Sequence, residues 1–344
     1  MQTITRRTAF GAEFDVPDGY LNTASIGIPP VAVAEAVAGA VSDWRTGAAA
    51  APDFDEPVAQ ARAAFADLVG VAPGRVTIGS AASPLVGLVA GSLPAGTRVL
   101  VQEGEFTSLS WPFAAQAGRG VTVTECTADE LGARAGEFDV VAVSVVQSAD
   151  GRIADLDALR AAQAVGTRVV LDATQSLGWH DADISWADAV VAAAYKWLLS
   201  PRGAAWMALA PDLEPVPLHA NWYAGAERWS SVYGLPLDLA ADARALDTSP
   251  AWYCHVGAAA ALPWLAGLDR TAVRAHCAGL AEAFRTGLGM EPTGSAIVSV
   301  RRPDALERLG AAGVAAAGRA GAARLSFHLY NTEADVSRAL DALT

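Results

Sequence analysis

The 344 residues are 52% hydrophobic and 18% charged, with 32 Gly and 18 Pro, a globular composition whose length suits one large domain and a smaller companion. With 24 basic against 37 acidic side chains the formal charge is −13, which repels phosphate backbones and anionic membrane surfaces and argues against nucleic-acid and membrane partners. Three cysteines, Cys126, Cys254 and Cys277, are odd in number and lack metal-like spacing, so neither a zinc site nor a disulfide framework is expected. The opening MQTITRRTAF has no apolar signal core and no run reaches membrane-spanning length, so the expectation is an unexported, cytoplasmic protein.

In chain order, Val31 to Trp44 and Glu56 to Leu68 read as amphipathic helices, each introduced by Pro or acidic residues suited to a helix start. From Arg75 to Ala210, short β-rich runs alternate with Ala-rich helical stretches. The strands are RVTIG, RVLVQE, VTVTEC, DVVAVSVV, RVVLDAT, DAVVAAA and AAWMALA. Helices are expected near Pro84 to Gly91, Leu109 to Ala117, Asp129 to Ala135 and Asp155 to Val165. This alternation predicts an α/β fold with a mainly parallel seven-stranded sheet between helices. The last three strands leave little room for a long helix, which predicts an antiparallel edge.

Pro211 to Pro250 is rich in Pro, Trp and Tyr without a period and reads as a loop system. Its Trp222, Tyr223, Trp229 and Tyr233 suit simple packing ahead of a pocket or a subunit contact. Beyond it come helices at His255 to Leu265 and Arg270 to Leu288, a strand at Ala296 to Arg301, a helix at Pro303 to Leu309, the strand RLSFHLYN and a helix from Thr332. The expected division is an N-terminal segment, residues 1–30, that contributes to the active site and the small domain, a large domain over 31–250, and a small α+β domain over 251–344.

The chemistry gathers in VVLDATQSLG, Val169 to Gly178, and AAAYKWLLSPRG, Ala192 to Gly203. Asp172 ends one apolar strand and Lys196 directly follows another, and ligands of open α/β sheets collect outside the carboxyl ends of strands. Burial there lowers a lysine's pKa and frees its amine as a nucleophile. A carboxylate against a pyridinium nitrogen and a lysine joined to an aldehyde are the two groups a pyridoxal cofactor requires. Read separately, the same residues are a helix cap and a solvated strand end. IGSAASPLVGL, Ile78 to Leu88, offers backbone amides at Ala81 and Ala82 and hydroxyls at Ser80 or Ser83 to a phosphate, or a plain Ser N-cap.

DATQ, YKW with PRG close behind, EFTS and RLSFHLYN, in this order and spacing, resemble the class V aminotransferase family of fold-type I pyridoxal-phosphate enzymes. That family includes cysteine desulfurases, kynureninase, isopenicillin epimerase-like proteins and the C–S lyase of ergothioneine biosynthesis. The resemblance begins near LNTASIG, Leu21 to Gly27, and covers nearly the whole chain. It implies pyridoxal 5'-phosphate as cofactor, Lys196 as its Schiff-base lysine, Asp172 as the pyridinium partner, Gln175 on the ring hydroxyl and Phe106 stacked on the ring. Ala81, Ala82 and Ser83 would hold the phosphate. Many relatives carry Ser-x-His-Lys where this chain has Ala193 and Tyr195, so one phosphate hydroxyl is missing and Tyr195 is its candidate replacement. The resemblance also implies a homodimer with the site between subunits, completed by Thr248 of LDTSPA. Arg324 is implied as the substrate-carboxylate ligand, with Asn22, Ser25 and Gln147 or Ser148 as further substrate candidates.

The implied substrate is a small amino-acid-like molecule. Transaminase-type chemistry stands slightly ahead of a C–S or other β-lyase and of epimerisation, and an inactive scaffold or regulator is the reading of another class. Persulfide-forming desulfurases need a loop cysteine shortly before the carboxylate-binding arginine. None lies between Ala278 and Arg324, which argues against that reaction.

Overall fold

The computed structural model describes residues 4–344; the first three residues of the 1–30 segment lie outside the described residues. Its elements are β1 (Ile4–Ala9), β2 (Ala12–Pro17), α1 (Val31–Thr46), α2 (Asp55–Val69), β3 (Val76–Gly79), α3 (Ala82–Ser92), β4 (Arg98–Gln102), α4 (Thr107–Ala114), β5 (Thr122–Cys126), α5 (Ala128–Arg134), β6 (Val140–Ser144), α6 (Leu156–Ala164), β7 (Arg168–Asp172), β8 (Ala189–Ala193) and β9 (Ala205–Leu209). After the irregular stretch come α7 (Trp252–Ala266), α8 (Arg270–Gly287), β10 (Ile297–Val300), α9 (Ala305–Ala311), β11 (Ala317–Arg319), β12 (Ala322–Ser326) and α10 (Glu333–Leu343).

Seven strands form one sheet in the order β3-β9-β8-β7-β6-β4-β5. Successive residues of a strand point to opposite faces, and here both faces are apolar. Val141, Val143, Val169 and Leu171 join the core under α2, α6 and α7, whereas Val140, Ala142, Val170 and Val191 join the core under α3 and α4. Burying each such side chain is worth about 1.5–3 kcal/mol, which is why these strands read as unbroken apolar runs. The antiparallel strand expected at an edge is β9, but it lies one strand inside, paired antiparallel with both β8 and the edge strand β3. The neighbours of a strand are set by where the returning chain can pack, and no local residue pattern carries that information.

Three strands went unpredicted. ITRRTA and AEFDVP form the hairpin β1–β2, turning at Phe10 and Gly11, both with positive φ (49° and 78°). A Phe at such a position is uncommon and gives no turn signal of the Asn-Gly kind. The short β11 pairs antiparallel with β12 and gives the small sheet three strands, β10-β12-β11. RLSFHLYN is strand only as far as Ser326. Residues 211–250 form irregular structure with short 3-10 turns, in which Tyr223 is buried and Tyr233 is 92% exposed. Among the described residues no helix is long and apolar enough to cross a membrane.

A buried ion pair ties this irregular stretch to the sheet edge. Arg62 of α2 grips Asp247 with two hydrogen bonds, 3.1 and 2.5 Å, and Asp247 also accepts from Thr77 Oγ1 and the Ile78 amide. Breaking one side of such a pair leaves an uncompensated buried charge. Arg62→Met is therefore expected to cost about 3–5 kcal/mol of stability, read as a lower urea midpoint; a midpoint equal to that of the parent chain would refute the assignment.

Candidate functional site

The site lies where the parallel strands end. Ser144 closes β6, Asp172 closes β7, and the chain leaving β8 at Ala193 passes through Tyr195 to Lys196. A cavity of about 130 Å³ collects Asp172, Lys196, Phe106 and Tyr195 on one side and Ser80, Ala81 and Ala82 on another. A second cavity of about 330 Å³ lies elsewhere, lined by Leu213, Leu246, Arg75, Glu214 and Asp242, and it holds no lysine.

Lys196 is 6% exposed, and its Nζ lies 5.3 Å from the Phe106 ring centroid and 5.6 Å from that of Tyr195. Among the described residues no hydrogen bond to Nζ is found. Burial pushes its pKa down to about 8; Asp172 opposes the shift, and Arg324, Arg319 and Arg202 add to it. Of the 24 basic side chains it is the single lysine. Arginine stays protonated in proteins, so a chain that uses arginine everywhere else retains lysine where a neutral amine is required. That count was the strongest signal in the sequence, and motif reading passed over it.

Asp172 is buried, and its Oδ1 accepts from the Thr174 amide at 2.8 Å. Burial pushes its carboxyl up, against the pull of Thr174 and Lys196. Gln175 is hydrogen-bonded within the chain: its Nε2 donates to Ala24 O (3.0 Å) and Ser148 Oγ (3.1 Å), and its Oε1 accepts from Trp197 Nε1 (2.7 Å). Both Nε2 hydrogens are used, while Oε1 keeps a second lone pair and Gln175 lines the cavity.

Glu105 was missed. Its buried carboxylate accepts from the Ser144 amide (2.8 Å), the Ser144 hydroxyl (2.6 Å) and the Phe106 amide (2.7 Å), fixing the backbone that presents the Phe106 ring. Arg202, in the quoted PRG but given no role, lines the cavity with its guanidinium 5.1 Å from the Tyr195 ring. It brings a cation to the cavity that Ser80, Ala81, Ala82 and Ala193 also line. Ser83 and Thr248 lie off the cavity lining in this chain, Thr248 with its amide 3.5 Å from Ile78 O.

The N-terminal segment lies directly on the lysine loop. The Gly27 amide donates to Tyr195 O at 2.9 Å, and a Cβ at Gly27 would fall 2.0 Å from Lys196 O, so only glycine allows this approach. Asn22 bridges to Ser326 of β12. Arg324 is 1% exposed; its Nη1 donates to Ser148 O (2.6 Å) and Oγ (3.1 Å), and its Nη2 to Ser25 Oγ (2.7 Å). Its Nε has no partner, and no carboxylate neutralises it among the described residues. A buried cation so placed calls for an anion. Of the Gln147 or Ser148 alternative, the structure puts Ser148 on the cavity and leaves Gln147 buried with its Nε2 unpaired.

These groups suit a pyridoxal cofactor: a buried amine of depressed pKa, a buried carboxylate at a strand end, an aromatic face over Nζ, and a strand-to-helix turn of small residues. The architecture defines an α/β enzyme of the kind that works at strand carboxyl ends. Residues 33–307 match the family described as Aminotransferase class-V, and the chain belongs to that family of pyridoxal-phosphate enzymes. It is 31% identical to isopenicillin N epimerase of Streptomyces clavuligerus over 223 residues, 57% of this chain but only 55% of that protein. An uncharacterized aminotransferase of Bacillus subtilis (strain 168), YcbU, is 27% identical over 309 residues, 82% of each chain. The fold is shared with the cystine C–S lyase C-DES in complex with cysteine persulfide (TM-score 0.83, 19% identity, 95% of this chain and 97% of that one). It is also shared with the cysteine desulfurase CsdA of Escherichia coli (TM-score 0.78, 20% identity, 95% and 94%).

An amine of pKa about 8 reacts with a small amine reagent in proportion to its neutral fraction. Labelling of the Lys196 peptide in the cofactor-free chain, followed by mass, is expected to rise with pH and level off above about 8. A rate still climbing toward the ordinary lysine range would refute the depressed value.

Proposed function

We propose that this chain holds pyridoxal 5'-phosphate on Lys196 and acts on the α-amino group of a small amino-acid-like substrate, with transamination as the reaction. The observation that carries this is the chain's single lysine, buried with a depressed pKa beside Asp172 and facing the same cavity. When bound, the cofactor supplies an aldehyde for amine exchange and a protonated ring that accepts electrons from a broken α-bond. In this reading Asp172 keeps the ring nitrogen protonated, Phe106 covers the ring, and Arg202 with the Ser80–Ala82 turn takes the phosphate. Arg324 takes the substrate carboxylate through the face that now lacks a partner.

Transamination needs one base that removes a proton and returns it at a second carbon on the same face. Lys196 suits that role, and Phe106 on the other side of Nζ has no proton to exchange. Epimerisation by two bases would have to draw its second base from Tyr195, whose ring lies 5.6 Å from Nζ. The persulfide route lacks its cysteine: Cys277 is buried in α8, 3.7 Å from His328 Nδ1, and burial pushes its thiol up. A C–S lyase remains the second reading, favoured by the likeness in fold to C-DES.

A homodimer belongs to the same proposal. Trp229, Tyr233, Leu235 and Leu237 are exposed on the 211–250 stretch, an apolar surface suited to a second copy, and Thr248 of the same stretch is the residue the family resemblance offers to a neighbouring site. Three unpaired cysteines suit a cytoplasmic location.

Borohydride treatment of the cofactor-loaded chain is expected to fix the mass of reduced cofactor on the Lys196 peptide, and Lys196→Ala should fold but carry no tag. With a productive amino acid the pyridoxamine form should accumulate. Keto acid released with ammonia and no pyridoxamine form would sink the aminotransferase reading in favour of the lyase.

A further inference from the structure

Arg319 and Arg324 stand on one face of the small sheet. In the β11–β12 ladder Ala317 lies opposite Arg324 and Arg319 opposite Ala322, so the two arginines are diagonal neighbours at a spacing of about 7–8 Å, within reach of long side chains. The other face of β12, with Ala323 and Leu325, is sealed in the small core. The arginine face is therefore the one that meets Ser25 and Ser148 at the cavity. The connecting turn runs through Ala320 and Gly321, both at positive φ (45° and 74°), which keeps the hairpin tight and holds Arg319 at its fixed register against β12.

Neither guanidinium has a carboxylate partner among the described residues. Arg319 donates to its own neighbour's carbonyl, Gly318 O, at 2.7 Å, and the buried Nε of Arg324 donates to nothing. Like charges at neighbouring positions on a sheet face repel. Both arginines also depress the basicity of Lys196, and Arg319 depresses that of Arg324. A chain of formal charge −13 has acids in abundance, yet among the described residues it pairs none with Arg319 or Arg324, and an unneutralised pair of this kind attracts anions.

Resting on the reading of the cavity as an amino-acid site, we propose that the substrate is an acidic amino acid: Arg324 binds its α-carboxylate and Arg319, its diagonal neighbour on the sheet, binds a second carboxylate on its side chain. Arg319 is then a specificity-determining residue for the same reaction. Its exposure limits the gain to that of a partly solvated charge-assisted pair.

The test titrates the cofactor-loaded full chain with L-aspartate, L-glutamate, L-asparagine and L-glutamine, following the cofactor's visible absorbance. At least one acid is expected to half-saturate at a concentration roughly three- to tenfold below that of its own amide. The ratio should fall to near one in Arg319→Gln and survive in part in Arg319→Lys. Acid and amide half-saturating together, a preference that survives Arg319→Gln, or four compounds that leave a visible chromophore unchanged would each overturn the proposal. A chain that shows no chromophore after added cofactor would instead overturn the cofactor reading, and this proposal with it.

Discussion

Desolvation of the Lys196 ammonium is the term that the surrounding structure has to balance. An amine placed 6% exposed at a strand end, with no hydrogen bond to Nζ among the described residues, is stable only because Asp172 offsets part of the cost and because the neutral form is within reach near pH 8. The rest of the site is arranged around that compromise. Glu105 holds the backbone that sets Phe106 over Nζ, the Thr174 amide orients Asp172, and Gly27 lets the N-terminal segment close over the lysine's own carbonyl.

Three distant parts of the chain are locked together by the same few polar groups. Ser148, leaving the end of β6, accepts from Gln175 of the large sheet and from Arg324 of the small one. Ala24 O accepts from Gln175, and the Ala24 amide donates to Ser326 Oγ at 2.9 Å. The N-terminal segment thus hydrogen-bonds to Gln175 beyond β7 of the large sheet and to Ser326 at the end of β12 of the small one. A change in any one of these bonds shifts the relation of Arg324 to Lys196, and so the geometry in which a carboxylate and an amine are held together.

Charge is distributed against the average. The chain as a whole is strongly acidic, yet Arg202, Arg319 and Arg324 all lower the pKa of Lys196 and none has an acid partner among the described residues. Such a local reversal of sign draws anionic ligands into a cleft whose walls exclude water. It accounts for both kinds of anion the proposed reading requires, a phosphate on the Ser80–Ala82 side and carboxylates on the β12 side.

The strands of the large sheet and their apolar content were legible because a strand buried on both faces must be apolar throughout. Lys196 and Asp172 were legible because strand ends followed by a lysine and a carboxylate are local patterns, and the single lysine of the chain was present in plain count. What the sequence could not determine was everything that depends on who lies beside whom. The place of β9 one strand inside the edge, the β1–β2 hairpin with its Phe-Gly turn, and the extra strand β11 follow from how the chain returns on itself. The meeting of Ser25, Ser148 and Arg324 joins residues separated by up to 299 positions. Only tertiary structure decided that both Nε2 hydrogens of Gln175 are already used, that Ser148 rather than Gln147 reaches the cavity, and that Arg319 stands beside Arg324. Residue type determines what a group can do, but burial and unpaired charge arise from contacts that no local pattern encodes.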